Sequence, residues 1–178
     1  NPGTYDFFRG DQHTFTAQAF NSNNEDVTST ASFTWATSDA EVATVGTNGQ
    51  VTAVGLGEAV ISATANGIRG EAVIAVYPDT VVIIDPFYVS LSGGQTRQFT
   101  ATVINARTNS VITGAPITWE LLTIPGFDMF NIGTISNTSG STTTFTMNQN
   151  ATMGFSTFLG AYVTGNPDAG GVASIMVS

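Results

Sequence analysis

Phe15-Thr16-Ala17 and Phe33-Thr34-Trp35 return later in the chain as Phe99-Thr100-Ala101 and Ile117-Thr118-Trp119. One offset separates both pairs, since 99 − 15 = 84 and 119 − 35 = 84. Gly10 with Gly94, and Pro2 with Pro86, share that offset. A common spacing at separate points marks a duplicated unit. It divides the 178 residues into two domains, 1–78 and 79–178, each long enough for one hydrophobic core.

Within each repeat the apolar segments are short, rich in β-branched and aromatic residues, and punctuated by Gly, Asn and Pro. No long stretch carries a helical period. That pattern predicts an all-β chain of two tandem sandwiches. His13 to Phe20 alternates, with Phe15, Ala17 and Ala19 on one side and Thr14, Thr16 and Gln18 on the other. It is predicted as one strand, with Arg97 to Ile104 as its copy. Asn48-Gly49 and Asn66-Gly67 fit the positive φ angles of tight hairpin turns. Trp35 and Trp119 are predicted at equivalent core positions. Ile124 to Phe130 is an insertion of the second repeat, so the second domain is expected to carry enlarged loops.

Composition narrows the function classes. Charged residues are 10% of the chain, lysine is absent, and the net charge is −9. Nucleic-acid binding needs clustered Lys and Arg, so it is excluded as an expectation. An anionic membrane surface is disfavoured for the same reason, and no apolar run reaches a membrane-spanning length. With no cysteine there is neither a disulfide framework nor a thiolate metal site. A Thr- and Asn-rich, lysine-free, acidic chain reads as extracellular or cell-surface.

Ser38-Asp39-Ala40-Glu41-Val42-Ala43-Thr44-Val45 leads to Asn48-Gly49-Gln50-Val51-Thr52-Ala53-Val54 and on to Gly57-Glu58-Ala59-Val60-Ile61-Ser62-Ala63-Thr64. With Trp35 upstream, this string resembles the bacterial immunoglobulin-like group 2 domain across nearly all of residues 1–78. The second half looks like a diverged bacterial immunoglobulin-like domain, through Ile117-Thr118-Trp119, Gly133-Thr134-Ile135-Ser136 and Ala173-Ser174-Ile175-Met176-Val177. The resemblance implies surface-displayed sandwiches, often in tandem, as found in adhesins, surface layers, accessory regions of secreted enzymes and phage virions. It brings no catalytic residues.

The chemistry-bearing residues point the same way. His13 is the only histidine, which leaves no Ser-His-Asp triad or histidine metal cluster within one chain. The carboxylate pairs Glu25-Asp26 and Asp39/Glu41 fall in predicted loops and read as solvated, so no enzymatic activity is expected. Calcium is the one cofactor the acidic loops suggest, with Asp79 and Asp85 as candidate ligands. Asn137-Thr138-Ser139 and Asn150-Ala151-Thr152 fit the N-glycosylation sequon, relevant where the source glycosylates asparagine. Phe127, Met129 and Phe130 form an apolar loop that serves either as a contact surface or as a lid.

One asymmetry within the duplication suggests assembly. Thr80 to Ile84 precedes Asp85-Pro86 in the second repeat, whereas Asn1-Pro2 holds the same place in the first. The first domain is therefore expected to lack its opening strand, leaving an edge near Pro2, Tyr5 and Phe7 open to strand complementation. The strand would come from a preceding repeat or from another copy. The overall expectation is a non-catalytic structural or adhesive module of an appendage, filament, surface layer or longer repeat protein. Its partners would be other copies, adjacent repeat domains, or a surface carbohydrate or protein ligand. A carbohydrate-binding accessory region of a secreted enzyme, or a phage virion decoration protein, is the alternative.

Overall fold

The structure, a computed structural model, describes residues 3–122, 132–151 and 153–178. The chain forms two units, Asn1–Pro78 and Asp79–Ser178. Both are all-β, and each packs two sheets around its own core.

Unit 1 contains β1 (Thr4–Phe8), β2 (Gln12–Thr14), β3 (Thr34–Thr37), β4 (Ala43–Val45), β5 (Gln50–Ala53), β6 (Gly57–Ala65) and β7 (Ile68–Tyr77). One sheet has the order β1-β7-β6-β3 and the other β2-β5-β4. β1 runs parallel to β7, and the other pairings are antiparallel. Alternation along the strands sends Val51, Ala53, Ile61 and Ile74 inward, where they meet Phe7 and Phe15. Asn66 and Gly67 both take positive φ, as a two-residue turn between β6 and β7 requires. In the Asn48-Gly49 pair only Gly49 does so, because four residues, 46–49, connect β4 to β5. A Cβ on Gly49 would also collide with the Phe15 carbonyl and the Trp35 ring.

Unit 2 contains β8 (Thr80–Asp85), β9 (Tyr88–Leu91), β10 (Thr96–Asn105), β11 (Ser110–Val111), β12 (Ile117–Leu122), β13 (Gly133–Ile135), β14 (Thr142–Met147), β15 (Ser156–Val163) and β16 (Asn166–Val177). Its first sheet joins β11, β10, β14 and β13, with β8 also paired to β10. Its second has the order β12-β15-β16-β9, in which β9 runs parallel to β16. Trp119 is 1% exposed at the centre of this core. Its indole Nε1 donates a 2.7 Å hydrogen bond to the Gly140 carbonyl.

The offset of 84 maps β1 directly onto β9, since Thr4 + 84 gives Tyr88, and both strands pair in parallel with the last strand of their unit. Trp35 and Trp119 also match, facing Ala63 and Ala161 across an antiparallel pair. They differ in burial. Trp35 is only half-buried. The predicted strand His13 to Phe20 is likewise shortened. β2 stops at Thr14, although the side-chain alternation continues to Phe20. β10 keeps its full length because β8 pairs with Thr100 through Asn105. Among the described residues, no strand offers that pairing to 16–20.

Candidate functional site

That unmatched stretch forms one wall of a groove of about 650 Å³ lying wholly within unit 1. Phe15, Ala17 and Ala19 line one side, and Phe33, Trp35, Ile61 and Ala63 face them. Phe20 and Ile68 stand at the rim, 55% and 78% exposed. Arg69 and Glu71, also at the rim, form a 2.9 Å ion pair. Both side chains are well hydrated, so the pair contributes little to stability.

The backbone at the groove is arranged as a sheet edge. Phe15 N–H donates to the Gly49 carbonyl, Ala19 N–H to the Thr28 hydroxyl, and Val27 N–H to the Ala19 carbonyl. Along an extended chain, successive backbone groups point to opposite sides. The peptide groups of Thr16 and Gln18 therefore face away from this loop, and none is hydrogen-bonded among the described residues.

The equivalent positions of unit 2 are closed. Phe99, Ala101, Val103, Ile117 and Trp119 are all at most 4% exposed. Their counterparts at −84 are Phe15, Ala17, Ala19, Phe33 and Trp35. Phe15 is 9% exposed and the other four are only partly buried. The difference lies in β8, whose Ile84 sits opposite Ala101 and whose Val82 sits opposite Val103. Both side chains are 5% exposed and belong to the core.

The family of the first unit can be assigned from this frame. Residues 8–76 match the model of the bacterial Ig-like domain (group 2). Unit 1 belongs to that family. The group 2 match ends before unit 2 begins. Among curated relatives, Ice-binding protein 1 of Shewanella frigidimarina is 27% identical over 121 residues, 67% of this chain. The chain spans 14% of that relative's length. Two solved structures align over most of the chain. Domains 4 and 5 of the S-layer protein SbsC are 20% identical with a TM-score of 0.39, over 92% of this chain and 80% of that one. The Yersinia pseudotuberculosis adhesin InvE is 19% identical with a TM-score of 0.39, over 97% of this chain and 56% of that one.

The remaining candidates disperse. Tyr5 is exposed at 43%, but Phe7 is 6% exposed and packs in the group 2 core, so it offers no outward contact. His13 is exposed and meets Phe15 edge-on at a centroid distance of 4.9 Å, with Tyr5 at 6.2 Å. Asp79 and Asp85 are exposed at opposite ends of β8, roughly 20 Å apart at strand rise, too far to share one cation. No group of three or more acidic or histidine side chains fit to hold a metal occurs among the described residues.

The acidic loop pairs serve turns. An Asp39 carboxylate oxygen accepts from Glu41 N–H and one of Asp26 from Thr28 N–H, both at 2.8 Å. Hydrogen bonds from the Thr28 hydroxyl and backbone hold the Asp26 carboxyl below the usual carboxylate value. The Asn137 side-chain amide donates to the carbonyls of Ser139 and Thr142, so a glycan there, which leaves one N–H on the amide nitrogen, would have to displace one of the two bonds. Asn150 is exposed, but Thr152 of its sequon lies outside the described residues. Pro2, Phe127, Met129 and Phe130 lie outside them too.

A surface the sequence did not single out appears on unit 2. Tyr88, Ser174, Phe158 and Leu122 form one cross-strand row over β9, β16, β15 and β12. Met176 lies in the next row and receives the Tyr88 hydroxyl at 3.6 Å from its sulfur. Phe87 and Phe155, exposed at 77% and 43%, flank the two ends of this face. Strand alternation hinted at it, but without the register the residues are scattered over 88 sequence positions. No helix among the described residues is long and apolar enough to cross a membrane.

Proposed function

We propose that the chain is a non-catalytic, extracellular structural or adhesive module, one segment of a surface appendage, filament, surface layer or longer repeat protein. Unit 2 acts as a diverged immunoglobulin-like companion of the group 2 domain. The observation that carries this reading is the outer face of the β9-β16-β15 sheet. Tyr88, Phe158 and Met176 give it an apolar, adaptable contact surface, with Phe87 and Phe155 at its border. Clustered exposed apolar side chains of this kind mark interaction sites in soluble proteins. The group 2 assignment of unit 1 agrees with such a role. So do the names of the relatives, an ice-binding protein, an S-layer protein and an adhesin.

The test is sedimentation equilibrium of the chain beside the double variant Tyr88→Ser/Met176→Ser. Concentration-dependent association that the variant loses supports the reading. A monomer at all concentrations, with unchanged behaviour in the variant, overturns it. The exposed aromatics Phe87 and Tyr88 also favour a second reading, stacking against a carbohydrate as in an accessory region of a secreted enzyme. Co-sedimentation with insoluble polysaccharides, lost in the Tyr88→Ser variant, would select that alternative.

A further inference from the structure

The dipeptide Asn-Gly occurs twice in unit 1, as Asn48-Gly49 and Asn66-Gly67, and the fold gives the two copies opposite surroundings. Asn-Gly carries a chemistry of its own besides its turn preference. The side-chain amide carbon of asparagine lies within reach of the next backbone nitrogen, and glycine puts no side chain in the way. Attack of that nitrogen on that carbon closes a cyclic imide. The reaction needs a backbone N–H that is free of hydrogen bonds and open to solvent base. It also needs an unrestrained side-chain amide, and room for the chain to rotate into the ring geometry.

Asn48-Gly49 meets none of these needs. Gly49 is buried, and its N–H donates to the Gly46 carbonyl at 3.0 Å. The Asn48 Oδ1 accepts from Gln50 N–H at 3.1 Å, which restrains the side chain. The Phe15 carbonyl and the Trp35 ring crowd Gly49 so closely that a methyl would collide with both. Asn66-Gly67 meets all of them. Both residues are exposed in the two-residue turn between β6 and β7, with φ of 51° and 80°. Among the described residues neither the Asn66 amide nor the Gly67 N–H is hydrogen-bonded. No atom beyond the adjoining residues comes within 4 Å of where a Gly67 Cβ would lie. The ladder behind the turn ends at the pair Ala65 and Ile68, and Ile68 is 78% exposed.

We propose that Asn66 is a self-modification site, converted to aspartate and isoaspartate in the folded chain, while Asn48 is protected. Hydroxide removes the Gly67 N–H proton, and the nitrogen attacks Asn66 Cγ. The N–Cγ bond forms, the Cγ–Nδ2 bond breaks, and the side-chain nitrogen leaves as ammonia. Water then opens the imide. Addition at Cγ gives aspartate. Addition at the main-chain carbonyl carbon gives isoaspartate, in which the backbone runs through the former side chain. The two products differ in consequence. Aspartate tolerates positive φ and keeps the turn. Isoaspartate adds a backbone atom to a turn whose length the Ala65–Ile68 pair fixes, so it frays that end of the β6-β7 hairpin. Either product places a new negative charge at the groove rim that Arg69 and Glu71 share, in a chain already at −9. The proposal goes beyond the contact surface of unit 2 and does not depend on it.

The experiment incubates the 178-residue chain at mildly alkaline pH, folded and in guanidinium chloride, and follows both asparagines by peptide mapping. Electron-transfer fragmentation tells isoaspartate from aspartate. Each folded rate is divided by the rate of the same site in the unfolded chain, which removes the effect of neighbouring sequence. Folding should slow Asn48 about tenfold or more beyond any slowing of Asn66, because Asn48 reacts only after local opening. The purified isoaspartate form should exchange its Ile68 amide faster than the parent chain, whereas the Asn66→Asp variant should match the parent. Equal slowing at the two sites, or greater slowing at Asn66, overturns the assignment. So does an Asn66 that converts only in guanidinium chloride, since the folded hairpin would then shield it. An isoaspartate form whose Ile68 exchange is unchanged overturns the effect on the hairpin.

Discussion

Replacing the two tryptophans one at a time separates a closed core from an open one. Trp119 is 1% exposed and donates its indole N–H to Gly140 at 2.7 Å. Trp119→Ala removes a fully buried aromatic, a loss of about 3–5 kcal/mol. It also strips the Gly140 carbonyl of its donor, which adds about 1 kcal/mol. Unit 2 should therefore lose roughly 4–6 kcal/mol, a large share of the stability of a domain this size. Trp35 holds the same sheet position but is half-buried, so the transfer contribution falls to about half and Trp35→Ala should cost unit 1 only about 2 kcal/mol. The assay is urea unfolding followed by amide NMR, with Ile74 reporting unit 1 and Leu159 reporting unit 2. Both are fully buried in their own cores. Equal costs at the two positions would refute the reasoning, because they would mean that the groove does not expose Trp35.

Three further outcomes follow from particular contacts. Ile84→Ala should destabilise unit 2 by about 2–4 kcal/mol in the same urea experiment, since β8 closes that core; a cost under ~1 kcal/mol would show that β8 is dispensable. Gly49→Ala should cost at least about 1 kcal/mol in unit 1, because Gly49 has a φ of 79° and a methyl there meets Phe15 and Trp35; a neutral effect would contradict the turn geometry. The Asp26 carboxyl should titrate below 3.8 by carboxyl-detected NMR. A carboxyl with a lowered folded-state pKa supports the fold above its unfolded value, and that support fades as pH falls through the folded midpoint. Asp26→Ala should therefore flatten acid unfolding of unit 1 only in that acidic window, and a midpoint at or above 3.8 would remove the Thr28 hydrogen bonds from the account.

Much of the fold is written in local pattern. The shared offset identified the repeat because strand alternation, a buried tryptophan and turn residues recur together, and each is a short-range feature. Asn66-Gly67 folds as its sequence demands, since both residues tolerate positive φ. Asn48-Gly49 shows the limit: identical residues serve a four-residue connection, because pairing Val45 with Val51 fixes the loop length from outside the turn. The stretch His13 to Phe20 was readable as alternating but not as half unpaired. A strand needs a neighbour, and whether one exists is a property of distant sequence. Phe7 read as an edge contact because the duplication implied a missing opening strand beside it, yet in β1, paired in parallel with β7, its side chain faces the core. The apolar face around Tyr88 and Met176 could not be assembled from alternation alone, because a parallel pairing brings its residues together from opposite ends of the unit. The acidic pairs were legible only as loop carboxylates, and the structure adds that Asp26 and Asp39 hold their turns by accepting backbone hydrogen bonds.

The central claim is that unit 1 and unit 2 share one sandwich architecture, and that the edge β8 covers in unit 2 is open at the equivalent described residues of unit 1. Hydrogen exchange of the 178-residue chain, read at equivalent amides, tests it without any mutation. Thr100 and Thr102 lie between β8 and the rest of their sheet and should exchange only with opening of unit 2. Thr16 and Gln18, at the same positions 84 residues earlier, should exchange at close to the rate of exposed peptide groups. Equal, strong protection at all four amides would contradict the account.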